Sequence, residues 1–406
     1  MAHDGPHQGS WARKRPRVQT LALILAVGSA LLLSASSWSA ATKSKGADPQ
    51  TLAHARRSLE DGRQTFRFDT FGSEAFWGGM LRLHEAVAGA TFGGVGPGLS
   101  PAAALALGLK VDLDALPRRL VNQLKRGAVD LDDPAVTLAL LKLNAVVGVT
   151  GVFNQSGALA SFGIQCALCH SVVDDSLSPG IGRRLDGWAN RDLNIGAIVA
   201  LAPNLQPFVD LLAIVHPGIT EDAVRDVLNG WGPGKFDAEL ILDGKIVNAT
   251  GGSAATLIPP AFGLAGVNLH TWTGWGSVTH WNAFVASLET HGTGTFFDPR
   301  LNDAAQFPIA AAAGFGNVRN VPDLITPKLA SLHFYQLALP APAPPPGSFT
   351  QLPRRQGRRG SRPRALGAMY RRSSPSPDGT FTRQRRSAST TSRPTGRPTG
   401  GTEPRR

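Results

Sequence analysis

The chain has few of the residues that bind metals through sulfur: two cysteines and three methionines among 406 residues. It also has no Walker or dinucleotide-binding glycine motif and no internal repeat. Nothing in the sequence therefore indicates a nucleotide site or a repeat architecture. The apolar run at residues 21–33 is shorter than the roughly 20 apolar residues that a membrane span needs. The most informative feature that remains is the position of the two cysteines.

Both cysteines lie within residues 165–171, QCALCHS. Cys166 and Cys169 are three positions apart and His170 follows directly, a pattern that chance rarely produces when cysteine is so scarce. Three interpretations compete. A zinc site would normally need a second pair of Cys or His ligands, although distant histidines could complete one. A thioredoxin-like redox pair would need a βαβ unit that the surrounding residues do not predict, and it would give His170 no role.

Covalent attachment of a c-type haem uses all three residues. Cys166 and Cys169 would form thioether bonds to the two vinyl groups, and His170 would bind the iron as proximal ligand. Two thiols one helical turn apart lie on one side of the backbone, and the adjacent imidazole can reach under the ring. The sequence therefore predicts one covalently bound haem c.

Residues 1–41 have the three parts of a secretory signal: a basic segment, an apolar run and a small-residue end at Ala41. Attachment of haem c takes place outside the cytoplasm, so two unrelated features predict the same compartment. We expect an exported, periplasmic protein. An uncleaved segment that anchors the protein to the membrane is the alternative, and it would give the chain a membrane association.

Residues 346–406 have a composition unlike the rest of the chain. They contain 15 arginines, no lysine and two acidic residues, a net charge of +13, whereas residues 1–345 sum to −1. This composition predicts a disordered tail. It could be an arm for anionic lipid, polysaccharide or nucleic acid. We expect instead that it is translated out of frame, because GC-rich coding sequence read in a shifted register yields Arg, Pro, Gly and Ser. No nucleic-acid partner is expected of an exported protein.

Helical spacing of apolar residues dominates between the signal and the tail, so the predicted fold is mainly α. We expect an N-terminal helical region at residues 42–155 and, packed against it, a cytochrome c-like haem domain at residues 156–345. Thr220 is predicted to cap a helix over residues 221–231. Residues 239–248 predict one small β-hairpin with a tight Asp-Gly turn.

A haem iron has a second axial position, and the ligand there decides between electron transfer and reaction with small molecules. Ser73 is predicted to cap one helix over residues 74–89, on which Met80 and His84 share a face. Either side chain could point at the haem. A stripe of this kind is more often part of a hydrophobic core.

Residues 259–285 are more suggestive of the distal side of a haem, because two histidines and three tryptophans fall in a glycine-rich stretch. Imidazole and aromatic groups on flexible backbone suit a pocket over the ring. The predicted distal ligands are His270 first, then His280 and His84.

Four segments carry a family resemblance: residues 164–175 (IQCALCHSVVDD), 180–188 (GIGRRLDGW), 259–285 and 291–302 (HGTGTFFDPRLN). Together they resemble the exported bacterial di-haem cytochromes c, which are related to the di-haem cytochrome c peroxidases and, more distantly, to the haem rubber oxygenases. The resemblance covers roughly residues 65–350. It implies a second Cys-x-x-Cys-His domain after the proline-rich linker. This chain has the linker but no second motif, as a frameshift inside the second haem domain would produce.

Two functions of different classes follow. The favoured one is a one-electron carrier that exchanges electrons with a redox partner protein. The alternative is a peroxidase-like or oxygenase-like di-haem enzyme, here without its second haem, so whether the chain is an enzyme stays open. A structural or interaction module without haem is a third hypothesis.

Overall fold

The structure, a computed structural model, describes residues 47–248, 250–267, 269 and 274–343. The predicted signal segment at residues 1–41 and the tail at residues 346–406 lie outside the described residues. The described residues up to Pro342 belong to one compact unit. Among them, no helix combines the length and the apolar character that crossing a membrane requires.

Helices of all types account for 44% of the described residues, which confirms the mainly α class. The α-helices are α1 (Asp48–Phe68), α2 (Leu83–Ala88), α3 (Pro101–Ala106), α4 (Arg118–Lys125), α5 (Pro134–Lys142), α6 (Ala167–His170), α7 (Ile195–Val199), α8 (Gln206–Leu212), α9 (Glu221–Gly230), α10 (Leu240–Asp243), α11 (Val278–Phe284), α12 (Pro308–Ala313) and α13 (Leu329–Ala338). Two π-helical turns lie at Ala75–Met80 and Val285–Glu289. Short 3-10 turns occupy Ala90–Phe92, Leu113–Ala115, Pro299–Asn302 and Thr326–Lys328.

The described strands are short and form five two-stranded pairs. They are β1 (Val111–Asp112), β2 (Val149–Phe153), β3 (Leu159–Ile164), β4 (Ser171–Val173), β5 (Ile181–Gly182), β6 (Arg184–Asp186), β7 (Lys235–Phe236), β8 (Thr256–Leu257), β9 (Thr295–Phe297) and β10 (Asn317–Arg319). β1 and β5 are parallel, and the pairs β2–β3, β4–β6, β7–β8 and β9–β10 are antiparallel. The longest pair, β2–β3, is a hairpin that leads directly into the cysteine motif.

The largest core cluster joins the N-terminal helices to the segment that carries the cysteines. Leu83 of α2 and Leu140 of α5 lie in the same buried cluster as Leu168, between the two cysteines, and Leu228 of α9. Residues on both sides of the predicted boundary at position 155 therefore share one core. Burial of this apolar surface is the main stabilising term of such a cluster.

Helices α1 and α13 pack closely where α1 has a glycine. A Cβ built on Gly62 would overlap the backbone carbonyl of Ser331, so only glycine allows this approach. The contact brings Tyr335 of α13 and Arg67 of α1 to one carboxylate. Asp186 Oδ2 accepts from the Tyr335 hydroxyl at 2.5 Å and from Arg67 Nε at 2.6 Å. The last described helix is thereby tied to the first.

The predicted hairpin at residues 239–248 is wrong, because α10 occupies the first half of that segment. Asp237 Oδ1 accepts hydrogen bonds from the amides of the two residues that open the helix, including Leu240. Residues 240–242 are all buried, whereas a strand of an isolated hairpin would expose every second residue. Gly244, with φ of 71°, ends the helix in the left-handed conformation.

The continuous helix predicted over residues 74–89 is also wrong. The chain forms the π-helical turn Ala75–Met80, is interrupted at Arg82 with φ of 55°, and then enters α2. The Ser73 side chain does not cap the helix; its hydroxyl accepts a hydrogen bond from the amide of Ile164 at 3.2 Å. A tertiary bond to β3 therefore replaces the local cap.

A buried ion pair links two of the short strand pairs. Arg184 Nε of β6 lies 2.6 Å from Asp112 Oδ2 of β1, and the two side chains are 2% and 8% exposed. Removing one partner of such a pair leaves an uncompensated buried charge, which costs far more than the pair contributes.

We expect Asp112→Ala to lower the free energy of unfolding by about 3–5 kcal/mol, because Arg184 would stay buried without its counter-charge. Urea denaturation measures this. The matched control is Asp114→Ala, whose pair with Arg183 spans 3.6 Å between side chains that are 69% and 66% exposed and should cost less than about 1 kcal/mol. Equal losses of unfolding free energy in the two variants would contradict the buried ion pair between Asp112 and Arg184.

Candidate functional site

The two cysteines lie on a single helical turn between two strands. β3 ends at Ile164, α6 covers Ala167–His170, and β4 begins at the next residue. The His170 amide donates to the Cys166 carbonyl at 3.2 Å, which closes the turn. Cys166 itself has helical dihedral angles, so both thiols belong to the same turn.

The entrance to this turn is fixed by the neighbouring strand of the hairpin. The Gln165 amide donates to the Gly148 carbonyl at 3.0 Å, and its side-chain amide donates to the Thr150 hydroxyl at 2.5 Å. Gly148 has φ of +80°, and a Cβ built on it would overlap the backbone of Leu168. Glycine is therefore required here both for its conformation and for its size.

The exit from the turn is fixed by the loop that follows β6. The Asn190 amide donates to the Cys169 carbonyl at 2.9 Å, and the Gly187 amide donates to the His170 carbonyl at 2.8 Å. Asn190 Nδ2 lies 3.4 Å from the Leu168 carbonyl oxygen. The last carbonyls of a helix have no hydrogen-bond donor within the helix. Here this loop supplies donors for the carbonyls of three successive residues.

The imidazole of His170 is oriented by a backbone carbonyl. Its Nδ1 lies 3.0 Å from the Pro259 carbonyl oxygen. A carbonyl only accepts, so Nδ1 carries the hydrogen and Nε2 keeps a free lone pair. Burial of the ring lowers the pKa of His170 to about 4, which keeps it neutral at pH 7. These are the tautomer and charge state of a metal-ligating imidazole.

The two thiols are half-buried, free of disulfide and protonated. Cys166 packs against the core cluster around Phe66, and Cys169 packs against the largest cluster. Burial raises the pKa of both thiols to about 12. Cysteines that act as redox nucleophiles or bind metals sit in surroundings that lower the pKa instead. In haem c the two thiols add to vinyl groups and only the imidazole binds the iron, so two protonated thiols next to a neutral imidazole are compatible with that chemistry.

The structure also bears on the competing interpretations. Within the described ranges, no group of three or more His, Cys, Asp or Glu side chains is placed to hold a metal ion. A strand precedes the cysteines and a helical turn follows, as in a redox pair. However, β3 pairs with β2 and β4 pairs with β6, so the flanking strands do not form a parallel βαβ unit.

The predicted distal ligands are not brought together by the described structure. His270 lies outside the described residues. His280 Nε2 is 3.2 Å from Asp298 Oδ2, and its ring packs beside Phe296 in a different core cluster from either cysteine. His84 is half-buried, and burial lowers its pKa. The helix break removes the predicted shared face.

Met80, which the sequence placed beside His84, is 52% exposed. Residues 259–285, predicted for the distal side, begin with Pro259, whose carbonyl oxygen lies 3.0 Å from His170 Nδ1. The amide of Ala261 donates to the Gly187 carbonyl at 2.7 Å, which ties the same segment to the loop behind the turn. The start of this segment therefore lies beside His170, and its placement on the distal side stays a prediction.

Sequence reasoning missed Glu289, the last residue of the second π-helical turn. Its Oε1 is buried and has no hydrogen-bond partner. Burial, helped by the charge of Asp237, raises the pKa of Glu289 to about 8. The carboxyl lies close enough to Cys169 for its charge to raise the pKa of that thiol. A protonated carboxyl beside the turn from Cys166 to His170 can hold or donate a proton at neutral pH.

The raised pKa of Glu289 makes stability depend on pH. The folded-state pKa of about 8 lies above the ordinary glutamate pKa of 4.5, so the folded chain holds this proton more tightly than the unfolded chain. That contribution is fully present below pH 4.5 and is lost as the pH rises towards 8. We expect Glu289→Gln, which cannot ionise, to flatten the fall in unfolding free energy between pH 5 and 8.

Glu85→Gln is the matched control, because hydrogen bonds from Arg82 lower the pKa of Glu85 and move its titration below this range. Urea denaturation at several pH values measures both variants. Parallel curves for native protein and Glu289→Gln would show that the carboxyl does not stay protonated in the folded chain.

The comparisons with known proteins give no relative to set beside this site. No family model, no curated protein and no solved structure matches the chain. The functional argument therefore rests on the site itself.

Proposed function

We propose that this chain is a c-type cytochrome that carries one covalently bound haem and transfers single electrons outside the cytoplasm. Cys166 and Cys169 would hold the haem through thioether bonds, and His170 would bind the iron. When bound, the haem supplies a metal that cycles between ferrous and ferric states. The mainly α fold with a cytochrome c-like domain, and kinship with the di-haem cytochromes c, belong to the same proposal.

The observation that carries the proposal is the bond from His170 Nδ1 to the Pro259 carbonyl at 3.0 Å. A ligating histidine almost always donates its other ring N–H to such an acceptor, which fixes the tautomer and the ring orientation. Other histidines, such as His216, also bond to a backbone carbonyl, but only His170 does so directly after the cysteine pair. The bond spans 89 positions of the chain, so the fold itself orients the ring.

The chain's own residues do three things in this proposal. The turn from Cys166 to His170 sets the spacing of the three attachment groups. Hydrogen bonds from Gly187 and Asn190 hold that turn against rotation. Apolar side chains of two core clusters pack against the half-buried cysteines. Apolar surroundings of this kind and hydrogen bonds to the ligand are what tune a haem potential.

Compartment and partners follow from attachment chemistry and the N-terminal sequence. The proposal places the mature chain in the periplasm, with export or anchoring through residues 1–41, and assigns it a redox partner protein. It assigns no nucleic acid.

A second candidate, a peroxidase-like or oxygenase-like enzyme, rests on Glu289, because a protonated carboxyl beside the turn from Cys166 to His170 could deliver a proton to a bound substrate.

The full chain, produced in a bacterium with a cytochrome c maturation system, should stain for haem on a denaturing gel. Cys166→Ala combined with Cys169→Ala should abolish the stain. His170→Ala should remove the proposed axial ligand of the iron and therefore change the absorption spectrum. The control His216→Ala removes another ring bonded to a backbone carbonyl, that of Gly244 at 3.0 Å, and should leave the spectrum native. A native spectrum in His170→Ala would contradict the ligand assignment.

The same spectra separate the two functions. A low-spin six-coordinate spectrum that does not respond to carbon monoxide or peroxide supports the carrier. A high-spin spectrum that shifts on adding either ligand supports the enzyme, because it shows an accessible coordination position.

Gly148→Ala should reduce haem attachment several-fold per molecule of soluble protein, since a Cβ at this position overlaps the backbone of Leu168 and displaces the turn. Gly157→Ala is the matched control: it has the same φ of +80°, but its nearest atom, Lys142 Nζ, is 3.6 Å away. Haem-to-protein ratios measure the effect, and circular dichroism shows whether each variant is folded. Equal haem content in both folded variants would refute the role of Gly148.

A further inference from the structure

A cavity of about 70 Å³ lies inside the largest core cluster. Its wall is formed by side chains of α2, α3, α5 and α7, by both strands of the β2–β3 hairpin, and by Leu168 of the attachment turn. Every lining residue is buried or half-buried. The cavity is therefore bounded mainly by buried side chains, with half-buried ones at Leu105, Val149 and Ile198.

The wall offers almost nothing that could hold water. Among its lining side chains, Lys110 directs its charge to Asp192 at 2.5 Å, and the Thr137 hydroxyl has no hydrogen-bond partner. A buried water needs two to four polar partners, whereas apolar cavities stay dry and accept apolar guests. One hydroxyl cannot meet that requirement.

The volume limits the size of a guest. An apolar cavity of about 150 Å³ binds benzene or xenon, and this one has less than half that volume. An aromatic ring or a haem does not fit, and neither cysteine nor His170 lines the wall. A diatomic molecule or a single xenon atom does fit.

We propose that this cavity is a binding site for a small uncharged apolar molecule of the size of dioxygen. A guest would restore dispersion contacts that the lining side chains lack across the void. Because Leu168 forms part of the wall, the guest would lie behind the turn that carries both cysteines. The cavity does not depend on haem attachment, so its proposed role can be tested separately from the proposed function.

Xenon is the probe. Methyl NMR spectra of the full chain are recorded at increasing xenon pressure. The lining methyls of Leu83, Leu140 and Val199 should shift and saturate. Leu301 and Leu332, which are fully buried in the other two core clusters, should show no saturable shift. Absence of saturation at the lining methyls, or equal saturation at all five residues, would overturn the proposal.

Ala104→Leu places a larger side chain into the cavity and should abolish saturation. Ala106→Leu, on the exposed face of the same helix, is the matched control and should keep it. Retained saturation in folded Ala104→Leu would mean that xenon binds elsewhere. A xenon-pressurised crystal of the native chain gives a readout that needs no variant: density for xenon between α3 and α7 is expected, and an empty cavity at saturating pressure would refute the site.

Discussion

The arrangement depends on one constraint: the backbone of the turn from Cys166 to His170 is held at both ends by other parts of the chain. The amide of Gln165 donates to the Gly148 carbonyl, and the amides of Gly187 and Asn190 donate to the last carbonyls of the turn. Each such bond contributes only about 1 kcal/mol. Their joint effect is positional, since a turn bonded on opposite sides cannot rotate its side chains away from their common face.

A second set of contacts places this turn within the fold. Ser171, directly after the turn, donates to Asp186 Oδ1 at 2.9 Å, while the other carboxylate oxygen accepts from Arg67 and Tyr335. One buried carboxylate thus connects the residue directly after the turn to the first and last described helices. The Pro259 carbonyl fixes the imidazole from another part of the chain. Three stretches far apart in sequence, at Gly148, residues 186–190 and Pro259, thus bond to the turn or to the residues directly beside it.

Features that depend on residues close together in the chain could be predicted from the sequence. Features that depend on contacts between distant residues could not. Thr220 caps α9 as predicted, with its hydroxyl accepting from the Ala223 amide at 3.2 Å, because capping involves residues three positions apart. The hairpin at residues 239–248 was mispredicted because burial of both faces decided its structure. Pro259 and Glu289 gave no sequence signal, since their roles come from contacts about 90 and 120 positions from the motif.

The most direct test of the central claim is mass spectrometry of the peptide that contains Cys166, Cys169 and His170, from protein matured in a host that attaches haem c. The account predicts that both cysteines resist alkylation and that the peptide carries the mass of one haem. Two alkylated cysteines on a peptide without added mass would contradict it.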